Sequence, residues 1–206
     1  MTKFHKIPDV VIKRLPVYLR YLQQLVERDI ETISSQQMGE DLNLNPAQIR
    51  KDLSIFGDFG VKGMGYRVIE LSEKLTGILG LDKEIPIALV GMGNLGVALC
   101  QYNRYQSANT RIVALFDGHP SKIGEKFGSL EVKSMEELPA VVKEKKIKMG
   151  IITVPAQAAQ NVADQLINSG IKVILNFAPA LIQGPMDVKV QNSDVTTELQ
   201  ALAYYL

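Results

Sequence analysis

The sequence predicts an α/β protein in which an N-terminal winged helix-turn-helix precedes a Rossmann-like doubly wound parallel sheet and a short C-terminal helix. Three observations lead there. Two short helical stretches joined by a polar turn run into a glycine-punctuated hairpin in the N-terminal third. From residue 85 onward, short apolar runs alternate with helical stretches, as in a parallel sheet. The first of those runs leads straight into Gly91-Met92-Gly93-Asn94-Leu95-Gly96. A chain of 206 residues accommodates two small domains, and the expected division is 1–80, 81–192 and a tail over 193–206.

The first helix is expected over residues 7–28, where Ile7, Val11, Leu15, Leu19, Leu22 and Val26 recur at three-to-four spacing. Pro16 should bend or restart it. Ser34 and Ser35 can cap a second helix reaching Leu42, and Asn43 to Asn45 turn the chain. Asn45 as N-cap, Pro46 at the first helical position and Gln48 three residues later form a capping-box arrangement opening a third helix over 47–56. The segment 57–67, with Gly57, Gly60, Gly63 and Gly65 around Phe59, Val61 and Tyr66, suits a two-stranded wing. A further helix covers 68–76, and Gly77 and Gly80 mark the boundary.

Beyond it, Ile85–Val90, Ile112–Phe116, Gly150–Val154 and Val173–Phe177 read as buried strands. The helices between them fall at 97–105, 137–145 and 156–168. The charged run from Glu136 to Lys148 reads as a solvated helix. In the tail, Val195, Leu199, Leu202 and Leu206 share one helical face, too much apolar surface to leave in water.

The glycine turn carries the first chemistry. It follows a strand and opens a helix, and Asp117 ends the next strand about twenty residues on, which is the setting of a dinucleotide fingerprint. Gly91 permits the tight turn, Gly93 lets backbone approach a pyrophosphate at the helix N-terminus, and Gly96 lets helix and strand pack closely. Asp117 would accept hydrogen bonds from ribose hydroxyls and repel a 2′-phosphate, favouring NAD(H), although Ser121 and Lys122 close behind weaken that discrimination. Thr153, Val154 and Pro155, with Asn176, Phe177 and Ala178, fall at later strand ends, where ligands sit in open α/β sheets. The expected cofactor-binding set is therefore Gly91 to Gly96, Asp117, Lys122 and those strand ends.

The third helix carries the second chemistry. Gln48, Lys51 and, beside them, Arg50 and Ser54 face outward while Ile49 and Leu53 face inward, an arrangement suited to base edges and phosphates in a major groove, with Lys62 at the tip of the wing. The first 67 residues carry a modest excess of Lys and Arg over Asp and Glu, compatible with nucleic acid, though the whole chain is close to neutral at +1.

Other classes find little support. A single cysteine, Cys100, leaves no disulfide, redox pair or zinc motif, and reads as a small core residue. His5 and His119, the only histidines, are not placed for hydride-transfer chemistry. No catalytic or metal site is expected. No apolar run approaches a membrane span, and the N-terminus lacks a signal peptide, so a cytoplasmic location is expected. A small NAD-dependent dehydrogenase or a CoA-binding ligase-type subunit could share the sheet. After the winged helix and the sheet only the tail is left, however, with no room for a substrate domain.

Taken together, Arg14-Leu-Pro-x-Tyr18-Leu-Arg20, Gln48-Ile-Arg50-Lys51-Asp52-Leu-Ser54-x-Phe56-Gly57, Gly60-x-Lys62-Gly63-x-Gly65-Tyr66, Gly91–Gly96 with Tyr102, and the terminal Glu198-Leu-Gln resemble the redox-sensing transcriptional repressors of the Rex family over essentially the whole chain. The resemblance implies a homodimer whose C-terminal helices are domain-swapped, binding inverted-repeat double-stranded operator DNA when NADH is scarce and released when NADH binds. NADH and NAD⁺ would be the sensed ligands. The DNA-facing set is then Arg14, Ser35, Gln48, Arg50, Lys51, Ser54, Lys62, Gly63 and Tyr66. The resemblance also points to Arg20, Tyr102 and Asp194 as a switch, Asp194 accepting from Arg20 in one state or Tyr102 in the other.

Overall fold

The computed structural model describes residues 7–61, 63–106 and 109–206, with only the backbone of 104–106. Lys62 and His5 lie outside the described residues. The chain divides into two units, Met1–Lys83 and Glu84–Leu206.

In the first unit, α1 (Asp9–Val26) buries Val11, Leu15, Tyr18, Leu19, Leu22 and Leu25. It runs through Pro16 as one helix, without a restart. A proline removes a single N–H, and the apolar stripe on both sides of it packs into one core. Leu25 takes the inward place expected of Val26, which is exposed. After the short strand β1 (Thr32–Ile33) comes α2 (Ser35–Leu42), whose N-cap Ser34 accepts from the Gln37 N–H at 3.0 Å. Asn43 ends it in the left-handed region, φ 51°.

Then α3 (Pro46–Ser54) begins at Asn45, whose side chain accepts from the Ala47 N–H at 2.8 Å. The expected capping box is half made, because the Gln48 side chain is drawn to Asp52 instead. The wing, β2 (Gly60–Val61) and β3 (Gly65–Arg67), gains β1 as a third antiparallel strand in the order β1-β3-β2. Finally α4 (Val68–Leu79), capped by Gly80, runs longer than expected and packs its Val68, Leu71 and Leu75 into the core with α1.

The second unit is a seven-stranded sheet in the order β10-β9-β8-β4-β5-β7-β6. Its strands are β4 (Ile85–Val90), β5 (Thr110–Asp117), β6 (Lys126–Phe127), β7 (Leu130–Ser134), β8 (Met149–Ile152), β9 (Val173–Asn176) and β10 (Lys189–Asn192). All neighbours are parallel except the β6–β7 hairpin. Central β4 buries Ala88 and Val90 toward α6 (Leu138–Glu144) and α7 (Ala156–Asn168), and Ile87 and Leu89 toward α5 (Asn94–Gln106). Burial on both faces makes a parallel strand read as a continuous apolar run.

Two expectations change here. The stretch from Glu136 to Lys148 is amphipathic, with Leu138, Val141, Val142 and Ile147 buried, rather than a wholly solvated helix. The edge strands β6 and β10, and β7 beside β6, add to the four strands expected from the sequence. Cys100 is buried at 6% exposure, as expected of a core residue. The last helix, α8 (Val195–Ala203), buries none of its residues against the chain.

Candidate functional site

The strand order reverses beside β4, whose neighbours β5 and β8 are reached by connections leaving in opposite directions. Such a switch point opens a crevice outside the carboxyl ends of the strands. A cavity of about 570 Å³ lies there, lined by Gly91, Gly93 and Leu95 on one side, Thr153, Val154, Pro155 and Phe177 on another, and Asp117, His119, Ser121 and Lys122 at the end of β5.

The glycines divide the work as their spacing suggests. Gly91 has φ 102°, a left-handed conformation that disfavours a side chain. A Cβ at Gly96 would lie 1.9 Å from the Gly91 carbonyl oxygen, so the first turn of α5 packs directly on the loop. A Cβ at Gly93, by contrast, would meet nothing within 4 Å: it faces open cavity at the start of α5, where unpaired helix N–H groups favour an anion.

The rest of the shell holds this turn. The Thr153 hydroxyl donates to the carbonyls of Gly91 (2.7 Å) and Val90 (3.0 Å). Asp117 accepts from the Met92 N–H through one oxygen at 2.6 Å and from the His119 N–H through the other at 2.8 Å. A carboxylate has about four acceptor positions, so capacity for ribose hydroxyls remains beside these two bonds. Lys122 pairs with Glu125 at 3.3 Å, and the His119 ring contacts the Ser121 hydroxyl at 2.8 Å.

Several expected cofactor residues are scaffold instead. Met92 is fully buried in the α5-side core and Ala178 is 4% exposed. Asn176 is fully buried, donating to the carbonyls of Ala178 and Ala180 and to Asn192 Oδ1 and accepting from the Ala178 N–H, which fixes the loop after β9. Its amide is used up within the fold. Asn94 opens α5 from an exposed position.

In the first unit, α3 presents Arg50, Lys51 and Ser54 outward, all exposed. Arg50 donates to the Ser35 hydroxyl at 2.7 Å, tying α2 to α3, and the Ser54 hydroxyl bonds back to the Lys51 carbonyl at 2.9 Å. Gly63, at φ 81°, turns the wing.

Three residues expected to face DNA make contacts within the fold. Tyr66 is 7% exposed in the central wing strand, and burial raises its hydroxyl pKa. Arg14 and Gln48 are claimed by Asp52, which the sequence reading passed over. Fully buried, Asp52 accepts from Arg14 Nε at 2.6 Å and Nη2 at 2.8 Å, from the Tyr18 hydroxyl at 2.7 Å and from Gln48 Nε2 at 2.7 Å. Burial alone would raise its pKa. The bonds from Arg14, Tyr18 and Gln48 outweigh that and hold it below the ordinary aspartate value. A single acid among Arg50, Lys51 and Ser54 looks like a solvated charge. Only the i, i+4 spacings Arg14–Tyr18 and Gln48–Asp52 hinted at a shared partner.

Of the expected switch residues, Asp194 caps α8, accepting from the Thr196 N–H at 2.9 Å and the Thr197 hydroxyl at 2.8 Å. The Thr197 and Thr196 bonds lower its pKa. Tyr102 is 61% exposed and Arg20 is exposed. Tyr102 and Asp194 are not bonded to each other within the chain; both Asp194 oxygens accept from the first turn of α8.

Residues 6–54 match the family model "Putative DNA-binding protein N-terminus" and residues 82–180 match "CoA binding domain". A redox-sensing transcriptional repressor Rex from Brevibacillus brevis is 53% identical over 206 residues, covering 100% of both chains. The chain belongs to the Rex family. A Rex from Chloroflexus aurantiacus is 49% identical, covering 97% of this chain and 94% of its own. Among solved structures, RSP in complex with beta-NAD+ and operator DNA superposes with TM-score 0.91 at 38% identity, over 97% of this chain and 92% of that one. RSP, a Rex-family repressor, is also solved in complex with beta-NADH; that structure gives TM-score 0.86 at 37% identity, over 97% and 93%. Among the described residues no helix is long and apolar enough to cross a membrane.

Proposed function

We propose that the protein is a cytoplasmic, homodimeric repressor that holds operator DNA through its first unit and lets go when NADH enters the cavity of its second. The observation that carries this reading is the open space over Gly93 at the start of α5, in a chain whose other unit is a winged helix-turn-helix. A pyrophosphate would lie against Gly93 and the first turn of α5. Asp117 would take the adenosine ribose, and Val154, Pro155 and Phe177 would flank the nicotinamide. The bound dinucleotide supplies no chemistry here, because its oxidation state is the signal. Arg50, Lys51, Ser54 and Gly63 in the wing, together with its sequence neighbour Lys62, would meet DNA.

Release requires that NADH bind two dimer arrangements with different affinity. Arg20, Tyr102 and Asp194 are proposed to differ between them, with α8 exchanged between protomers so that each senses its partner. Tyr102→Phe should then retain both ligands but weaken their coupling, a term of about 1–3 kcal/mol in such systems. The ratio of operator Kd with and without saturating NADH measures it, and an unchanged ratio removes Tyr102 from the switch.

The direct test of function titrates NADH and NAD⁺ separately into a protein–operator mobility assay. NADH should dissolve the complex at concentrations where NAD⁺ does not, and insensitivity to NADH overturns the reading. A second reading, CoA as the natural occupant, draws on the family model over 82–180. It requires CoA to displace NADH.

A further inference from the structure

Asp52 accepts four hydrogen bonds, and a carboxylate has about four acceptor positions. It is saturated and fully buried, so it touches neither water nor any ligand directly. Its effect must pass through its partners. Arg14 and Tyr18 belong to α1 and lock the carboxylate in place; Gln48 alone belongs to the recognition helix α3.

A carboxylate only accepts, so the end of the Gln48 amide that meets Asp52 must be the nitrogen. Flipping the amide would set its oxygen against the Asp52 oxygen at the same 2.7 Å, lone pair on lone pair. Of the two N–H bonds, the one pointing away from the amide oxygen serves Asp52 best, since the other would bring that oxygen toward the carboxylate. The amide oxygen and the N–H beside it then form the outward pair. No described residue donates to that oxygen. Among the described residues no buried side-chain oxygen or nitrogen lacks a partner, so it is open to solvent. Gln48 itself is half-buried, near the start of α3.

An acceptor beside a parallel donor matches one base edge in the major groove: adenine, which offers its N6 amino group and its N7 acceptor. We propose that Asp52 is a positioning residue that fixes the Gln48 amide in the orientation that reads adenine, and so sets an A·T pair in each operator half-site. This rests on α3 being the recognition helix and adds to it the base read and the residue that enforces the reading.

The test begins with duplexes selected from a random pool by the wild-type dimer. Each adenine of the selected site is then replaced in turn by 7-deazaadenine, which lacks N7. Wild type should lose about tenfold or more at one adenine per half-site, the low end of a bidentate base contact. Gln48→Leu should bind the unmodified site more weakly and show no further loss at that adenine. The near-isosteric Asp52→Asn, which allows the amide to flip, should lose the same sensitivity while keeping its affinity for non-selected DNA and its salt dependence. Full sensitivity at every adenine in Gln48→Leu, or wild-type discrimination in folded Asp52→Asn, overturns the proposal. Failure of wild type to select any duplex overturns the DNA-binding reading as well, so the two failures are distinct.

A second measurement needs no variant to fold. In wild-type protein the two side-chain amide protons of Gln48 should differ, one shifted downfield and slow to exchange. Two ordinary, fast-exchanging protons would show that Asp52 does not fix the amide.

Discussion

Asp52 and Gly93 bear on single-residue energetics in opposite ways. Asp52 is a charge with no solvent of its own, and truncation to alanine leaves Arg14 facing a void. Loss of one partner of a buried pair costs about 3–5 kcal/mol, so Asp52→Ala should lower the chemical-denaturation midpoint of the first unit far more than Asp58→Ala. Because its folded pKa lies below the ordinary value of 3.8, its contribution is complete above that value and disappears as pH falls through the folded pKa. Unfolding followed between pH 7 and pH 2 should show that acid-side loss in wild type and lack it in Asp52→Asn. Gly93 is the reverse case: the Cβ of Gly93→Val has no protein atom within 4 Å, so Tm should stay near wild type while NADH binding vanishes and DNA binding persists. Gly96→Ala, whose Cβ overlaps a carbonyl, should instead lower Tm with or without ligand. If both variants lost only ligand binding, the division of labour between the two glycines would be wrong.

At the scale of elements, α8 presents an apolar face that nothing among the described residues buries. Val195, Leu199 and Leu202 are 63%, 62% and 60% exposed. If a second copy covers that face, Leu199→Glu should shift sedimentation from dimer to monomer and leave far-UV helicity intact, since the chain's own core loses no contact. A dimer of unchanged stability would mean another surface joins the protomers.

The elements also mark how far the sequence could be read. Strands buried on both faces announced themselves, and Ile85–Val90 has the limits the sequence suggests. β10, with all four residues half-buried, shows neither an apolar run nor clean alternation, and β6 is only two residues long. At the site, the glycine roles were legible because each follows from local backbone geometry. The pairing of Arg14 and the burial of Tyr66 and Asn176 were not, because a polar side chain reveals its partner only when a distant element arrives beside it.

For the whole molecule, a two-fold dimer demands a two-fold site. The selected duplex should contain an inverted repeat with half-site centres about one helical turn, roughly 10 bp, or a multiple apart. Inserting about 5 bp between half-sites should abolish tight binding and inserting a full turn should restore part of it; indifference to spacing would mean the protomers bind independently.

The two units are continuous in sequence, one ending at Lys83 and the other beginning at Glu84. Among the described residues, the three-stranded sheet and the core cluster of the first unit are built from that unit's own residues. During synthesis, therefore, the winged helix can form while the ribosome is still making the sheet. At about 5–20 residues per second the remaining chain takes on the order of ten seconds to emerge. The centre of the sheet matures late, since β4 pairs with β8 from more than fifty residues downstream. α8 leaves the tunnel after every other element described above, so a nascent chain could present α3 before it has either a ligand cavity or a partner.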